Sequence, residues 1–223
     1  MTTIIKPATL QFLNDLKSNN NREWFNKNKL RYEDAKQNYL DITQQLAIET
    51  NSFDKSISAN NTKEYIFRIY RDIRFSHDKT PYKTNFGIYL APGGRKSGLA
   101  GYYLHIEPSA SFVSGGVYMV GSERMKKVRT AMSDFSDEFL EIVNAKSFKN
   151  IYQFNFKEDT LSRVPQGFSP QSQVVNFLKL KNICPHRDLS NDEITNTNAL
   201  EKTVEYFVAL HPLIDFFNKA MTD

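Results

Sequence analysis

Between Phe86 and Met119 the chain changes period. Apolar residues recur there at every second position, whereas on both sides they recur at three- and four-residue steps. A period of two buries one face of a strand, and a period near 3.6 buries one stripe of a helix; neither pattern serves the other. The switch calls for helices flanking a central run of strands, an α+β fold. Phe86, Ile88 and Leu90 share one face of a first strand. Tyr102, Leu104 and Ile106 share one face of a second, with Tyr103, His105 and Glu107 on the other. Pro92-Gly93-Gly94 and Gly98 mark the turn between them, and Pro108-Ser109 leads into a third strand, Ser111 to Met119. The Gly115-Gly116 pair in that strand marks a bulge or a close backbone approach. Connections this short make an antiparallel meander, because parallel strands need long crossovers.

Residues 7–18 read as a helix opened by Pro7, with Leu10, Phe12, Leu13 and Leu16 on its buried side. The run Asn19-Asn20-Asn21 ends it and caps the next, which is expected from Arg22 to near Glu49. Residues 51–63 read as a polar loop. Beyond the strands, helices are predicted at 122–133 and 134–145, and strands at 148–156 and 160–164. A helix follows from Ser169-Pro170 to Leu178, then a strand at 183–189, a helix over 198–210 and a last helix started by Pro212. No repeat or linker interrupts this order, so the 223 residues are expected to form a single α+β domain, an antiparallel sheet flanked by helices. No apolar run approaches the roughly 18 residues of a membrane span, so no membrane association is expected. The opening MTTIIKPATLQFL lacks the charged and apolar regions of a signal peptide, and the single cysteine, Cys184, excludes an intramolecular disulfide. Both point to a cytoplasmic protein.

The segment from Ile66 to Gly87, IFRIYRDIRFSHDKTPYKTNFG, concentrates the charge. Arg68, Arg71, Arg74, Lys79 and Lys83 face only Asp72 and Asp78 there, while the whole chain carries a net +4. Outside 68–83 the chain holds 24 basic and 23 acidic residues. Ile66, Phe67, Ile69, Tyr70, Ile73, Phe75, Tyr82 and Phe86 alternate with the charges. Cations set among apolar residues are either paired internally or kept for an anion. The pairing alternative joins Arg68 to Asp72, Arg74 to Asp78, and the remainder to outside carboxylates such as Glu64. The binding alternative makes Arg71, Arg74, Lys79 and Lys83 an anion site. With so little basic surplus elsewhere, a small anionic ligand fits better than nucleic acid.

Several of these residues are familiar as a set. Asn20-Asn21-Arg22-Glu23-Trp24-Phe25, Arg71-Asp72-Ile73-Arg74-Phe75-Ser76, Asp78-Lys79-Thr80-Pro81-Tyr82-Lys83, Tyr102 to Pro108, Gly115-Gly116 and Val164-Pro165-Gln166-Gly167-Phe168 resemble the family called domain of unknown function 2461. The resemblance covers nearly the whole chain. It implies a single α+β domain found in bacteria and fungi, and it implies no activity, cofactor or catalytic residue.

Other candidates come from the residues themselves. His105 and Glu107 lie two apart on one strand face, the spacing of an imidazole oriented by a carboxylate, and are the candidate acid/base pair. His186-Arg187-Asp188 repeats the His-x-acid spacing, but nothing in the sequence brings the two strands together, so no metal site is assigned. His77 reads as a solvent-facing loop residue. Cys184 reads as an inert buried thiol. No Gly-x-Ser-x-Gly elbow, phosphate loop, dinucleotide fingerprint or RNA-binding signature is present, and no cofactor is named. Gly93-Gly94-Arg95-Lys96-Ser97-Gly98 lies between strands without a following helix and reads as an exposed hairpin tip. Three functions follow: binding of a small phosphate-bearing or other anionic ligand through 68–83, an enzyme acting on such a ligand with His105 and Glu107, or an interaction protein whose charged motif only organises the fold. The oligomeric state is not encoded in any of these features.

Overall fold

A computed structural model describes residues 5–60, 62–74, 76–157 and 159–222. Phe75, counted above among the motif aromatics, lies outside them. The fold is α+β. Strands β1 (Phe86–Leu90), β2 (Gly101–Ile106), β3 (Ser111–Gly116) and β4 (His186–Leu189) form an antiparallel sheet in the order β1-β2-β3-β4. Gly87, His105, Phe112 and Asp188 lie side by side across it, as do Tyr89, Tyr103, Ser114 and His186. The inner face carries Phe86, Ile88, Leu90, Tyr102, Leu104, Ile106 and Val113, all buried. The alternation read from the sequence is thus the real division between core and outer face.

Helices α1 (Pro7–Ser18), α2 (Arg22–Lys27) and α3 (Lys29–Phe53) precede the sheet. Helices α4 (Ser122–Asp134), α5 (Ser136–Asn144), α6 (Lys146–Lys149) and α7 (Val175–Leu178) separate β3 from β4. Helices α8 (Asn191–Thr195) and α9 (Ala199–Thr222) follow it. Helix α9 lies against β2 and β3, and α3 against β1 and α9. Gly115 permits this closeness, because a Cβ there would stand 2.9 Å from Leu210 Cδ1. Gly116 is the second special position. Its φ is +127°, and a Cβ would run into the Ile183 carbonyl. That carbonyl accepts from Val117 N–H at 3.1 Å, so the glycine lets the chain approach 183 before β4.

Four sequence expectations change. The helix foreseen from Arg22 breaks at Asn28, whose side-chain amide caps the Trp24 carbonyl at 3.0 Å, and its second part continues through the supposed polar loop as far as Phe53. Residues 148–156 and 160–164 are not strands. Their alternating Phe154 and Phe156 instead stack edge-on against Phe177, at 5.0 and 5.1 Å between ring centroids. Aromatic packing onto one ring produced the period of two. The helix expected from Ser169-Pro170 is reduced to Val175–Leu178. Finally, Pro212 does not start a helix but sits inside α9. Pro212 lacks the N–H that would bond the carbonyl four residues back. That carbonyl belongs to Val208, which is 48% exposed, so water can satisfy it on the solvent side of the helix.

Tyr39 joins the layers. Its ring stacks on Phe86 at 4.5 Å, and its buried hydroxyl donates to the Gly87 carbonyl while accepting from Phe67 N–H at 3.2 Å. Tyr39→Phe leaves both backbone groups unpartnered and should cost about 1–3 kcal/mol in urea unfolding. A loss below a few tenths would mean the hydroxyl is dispensable. Gly116→Ala adds a backbone collision to a left-handed strain of roughly 1–3 kcal/mol. Gly167→Ala has the strain alone, since φ is +91° and nothing lies within 4 Å. The first substitution should therefore lower the unfolding midpoint well beyond the second; equal losses would remove the close-approach argument.

Candidate functional site

The basic segment is a hairpin hung on the edge of β1. Ile66 bridges Ile88, and Tyr89 N–H donates to the Tyr65 carbonyl at 2.8 Å. Further on, Tyr70 bridges Tyr82, Arg71 N–H donates to Pro81 O at 3.0 Å, and Lys83 N–H to Ile69 O at 2.7 Å. Residues 69–71 and 81–83 thus double back on each other, with 72–74 and 76–80 at the tip. The loop before α2 holds the hairpin. The Asn20 amide donates to the Tyr82 carbonyl at 2.9 Å and accepts from Tyr82 N–H at 3.1 Å, acting as a substitute strand. Asn21 caps α2 through Trp24 N–H at 2.9 Å. Phe25 stacks face to face on Tyr82 at 4.0 Å. Through Asn20 and Tyr82, 62 residues apart in sequence, the asparagine run and the basic segment are one structural unit.

Within the tip the cations are largely committed. One terminal nitrogen of Arg71 bonds the carboxylate of Asp78 and the Thr80 hydroxyl. Arg74 reaches Asp72 through two nitrogens, at 2.9 and 2.7 Å. Lys79 donates to the Ile73 carbonyl at 3.0 Å. The pairs differ from those the sequence suggested. Asp72 accepts from the Arg74 backbone at 3.3 Å, and this local turn swings Arg74 onto Asp72 instead of Asp78. Glu64 is not in ion-pair contact with any of these cations: Arg95 takes its backbone carbonyl, not its carboxylate. His77 is exposed, as read.

The motif's cations diverge. Arg71 lines a cleft of about 350 Å³ between α2 and the hairpin, together with Arg22, Asn26, Tyr70 and Tyr82, closed by Ile73 and Pro81. No described lining residue carries a carboxylate. Arg22 makes no hydrogen bond or ion pair with a described residue, and Tyr70 is 47% exposed. Arg74, Lys79 and Lys83 do not line this cleft. Lys83 lies elsewhere, with its ammonium 5.2 Å from the Phe67 ring, and the Arg95 guanidinium stands 5.8 Å from that same ring. Arg22 and Arg95 are the cations that the sequence does not single out. Gly94 was the usable sign for Arg95. Its φ of +82° and its contact with Glu64 fold the supposed hairpin tip back, so that Arg95 N–H donates to Glu64 O at 3.0 Å.

On the outer sheet face, His105 and Glu107 do come together. His105 Nε2 lies 3.0 Å from Glu107 Oε2, and Nδ1 lies 2.9 Å from the Tyr103 hydroxyl. An imidazole protonated on Nε2 donates to the carboxylate and accepts from Tyr103. Phe112 stacks on the ring at 4.7 Å, and Thr84 donates to Glu107 Oε1 at 3.1 Å. Burial pushes the Tyr103 hydroxyl up to about 12, with Tyr118 and Glu107 adding to it. This chain is suited to orienting a ring or relaying a proton, but both imidazole nitrogens are taken. Phe112 also stands between His105 and Asp188 in the register. Among the described residues no group of three or more His, Cys, Asp or Glu is placed to hold a metal ion. Cys184 turns its thiol onto the Val117 carbonyl at 3.2 Å, and burial pushes it up to about 12.

The hairpin pairs have a pH signature. The hydrogen bond from Arg74 holds the Asp72 carboxyl down at about 2, and that from Arg71, with the Thr80 backbone, holds Asp78 at about 2. A folded value below the unfolded one favours the pairs above the unfolded value, and the benefit fades as pH falls through about 2. Carboxyl-carbon titration by NMR should give both midpoints near that value. Midpoints at the ordinary 3.8 would mean that the pairs do not persist in solution.

No helix among the described residues is long and apolar enough to cross a membrane. No curated protein and no solved structure matches the chain. A family model described as "Conserved hypothetical protein (DUF2461)" matches residues 8–216, which include the asparagine loop, the hairpin and the whole sheet. The chain belongs to the DUF2461 family.

Proposed function

We propose that this protein binds a small anionic ligand, phosphate-bearing compounds foremost, in the cleft between α2 and the 69–83 hairpin. One observation carries the reading: two guanidinium groups, Arg22 and Arg71, line a single cleft with no carboxylate among its described lining residues. The planar fork of each arginine matches phosphate or carboxylate oxygens. Asp78 and Thr80 fix Arg71 at one nitrogen and leave its other donors uncommitted. The exposed Tyr70 ring offers an apolar wall beside the charges. The volume, about 350 Å³, falls in the lower part of the roughly 300–1,000 Å³ range of small-molecule sites. Arg74 and Lys79 act as hairpin braces in this reading. A polymer needs a track of phosphate contacts, and two arginines in one small cleft favour a compact ligand. Binding ranks ahead of catalysis because Tyr103 and Glu107 already occupy both nitrogens of His105.

A ligand at ten times its Kd stabilises the native state by about 1.4 kcal/mol. For a chain of this size that corresponds to a rise of roughly 3–6 °C in Tm. Screening phosphorylated metabolites and carboxylates at millimolar concentration should give such a rise. Arg22→Gln, at an exposed residue with no described partner, should keep the fold and abolish the gain. The reading fails if no anion moves Tm, or if R22Q responds as the parent does.

A further inference from the structure

Lys83 stands apart from the surface lysines. It is half-buried, and among the described residues it has no hydrogen-bond partner for its ammonium and no carboxylate within ion-pair range. An exposed lysine needs neither, because water solvates it; a half-buried one gives up part of that hydration without replacement. The Phe67 face returns only a weak cation–π attraction, and a second cation shares it. The ammonium lies over Phe67, and Arg95 lies over the same ring. Arg95 is held in place, donating to the carbonyls of Lys63 and Glu64 at 3.1 and 3.0 Å. Burial lowers the Lys83 pKa, and the charges of Arg68 and then Arg95 lower it further. An amine in an apolar setting beside other cations loses its proton readily and becomes a nucleophile. The Arg95 guanidinium, set over the same ring, attracts an anion to its side.

We propose that Lys83 is a reactive amine that condenses with carbonyl compounds bearing an anionic group, which the neighbouring Arg95 attracts. In this step the neutral amine nitrogen attacks the carbonyl carbon and a C–N bond forms. The carbonyl oxygen then leaves as water, taking both amine hydrogens, and a C=N bond remains. Nothing is oxidised or reduced, and water reverses the reaction. The site is separate from the Arg22–Arg71 cleft.

Glyoxylate is the probe, with cyanoborohydride to trap the imine as a carboxymethyl amine and peptide mass spectrometry to count it at every lysine. Near neutral pH, Lys83 should be modified several-fold faster than the median of the other lysines. That preference should shrink with acetaldehyde, which lacks the anionic group, and vanish in urea. R22Q should label as the parent does, which separates this site from the cleft. Labelling of Lys83 at or below the median overturns the proposal. Equal preference for the two aldehydes also overturns it, as does a preference that survives unfolding.

Discussion

The hydroxyl of Tyr39 is the point on which the arrangement turns. It comes from the long helix α3, reaches the edge of the sheet at Gly87, and takes the backbone of Phe67 as its second partner. One buried group thereby fixes three things: the helical layer, the first strand, and the start of the basic hairpin. A buried hydroxyl with both roles filled is favourable only while all three stay in place, which makes the contact cooperative. The stack on Phe86 supplies the apolar half of the same contact. Phe67, held by that bond, is then the ring on which Lys83 and Arg95 converge.

The hairpin shows why a cluster of charge in sequence is not a cluster in space. Four of the five cations within 68–83 divide among three settings. Arg74 and Lys79 close on the hairpin itself, Arg71 turns to a cleft shared with α2, and Lys83 goes to a ring shared with the 93–98 turn. Each setting borrows residues from distant segments. Arg22 arrives because Asn20 and Phe25 clamp α2 to Tyr82, and Arg95 arrives because Gly94 folds its turn onto Glu64. Exposed pairs such as Arg74–Asp72 contribute little to stability. Their effect is to leave fewer free cations, and those are set against rings and cleft walls.

The outer sheet face adds a second kind of constraint. Tyr103, His105 and Glu107 form a hydrogen-bonded row, but Phe112 covers the imidazole and separates it from Asp188 on the far side. The pair whose spacing suggested an imidazole oriented by a carboxylate is a hydrogen-bonded polar row packed under an aromatic ring. The contrast with Lys83 is informative: a buried polar group with every partner in place supports the fold, and one without partners invites a ligand.

The sequence by itself determined the α+β class, the first three strands with their inner and outer faces, and the meeting of His105 with Glu107. Each of these rests on local periodicity, which side-chain direction along a strand converts directly into geometry. The family membership likewise rests on contiguous residues. Tertiary structure alone decided the rest. The alternation of Phe154 and Phe156 reflects packing around Phe177, and α9 runs on through Pro212 at a turn whose Val208 is exposed. Above all, the fate of each cation was not readable in the chain. Charge attracts over distance without a preferred sequence separation, so whether Arg71 meets Asp78, or Lys83 meets an aromatic ring in place of a carboxylate, is settled only when backbone bonds have placed the neighbours.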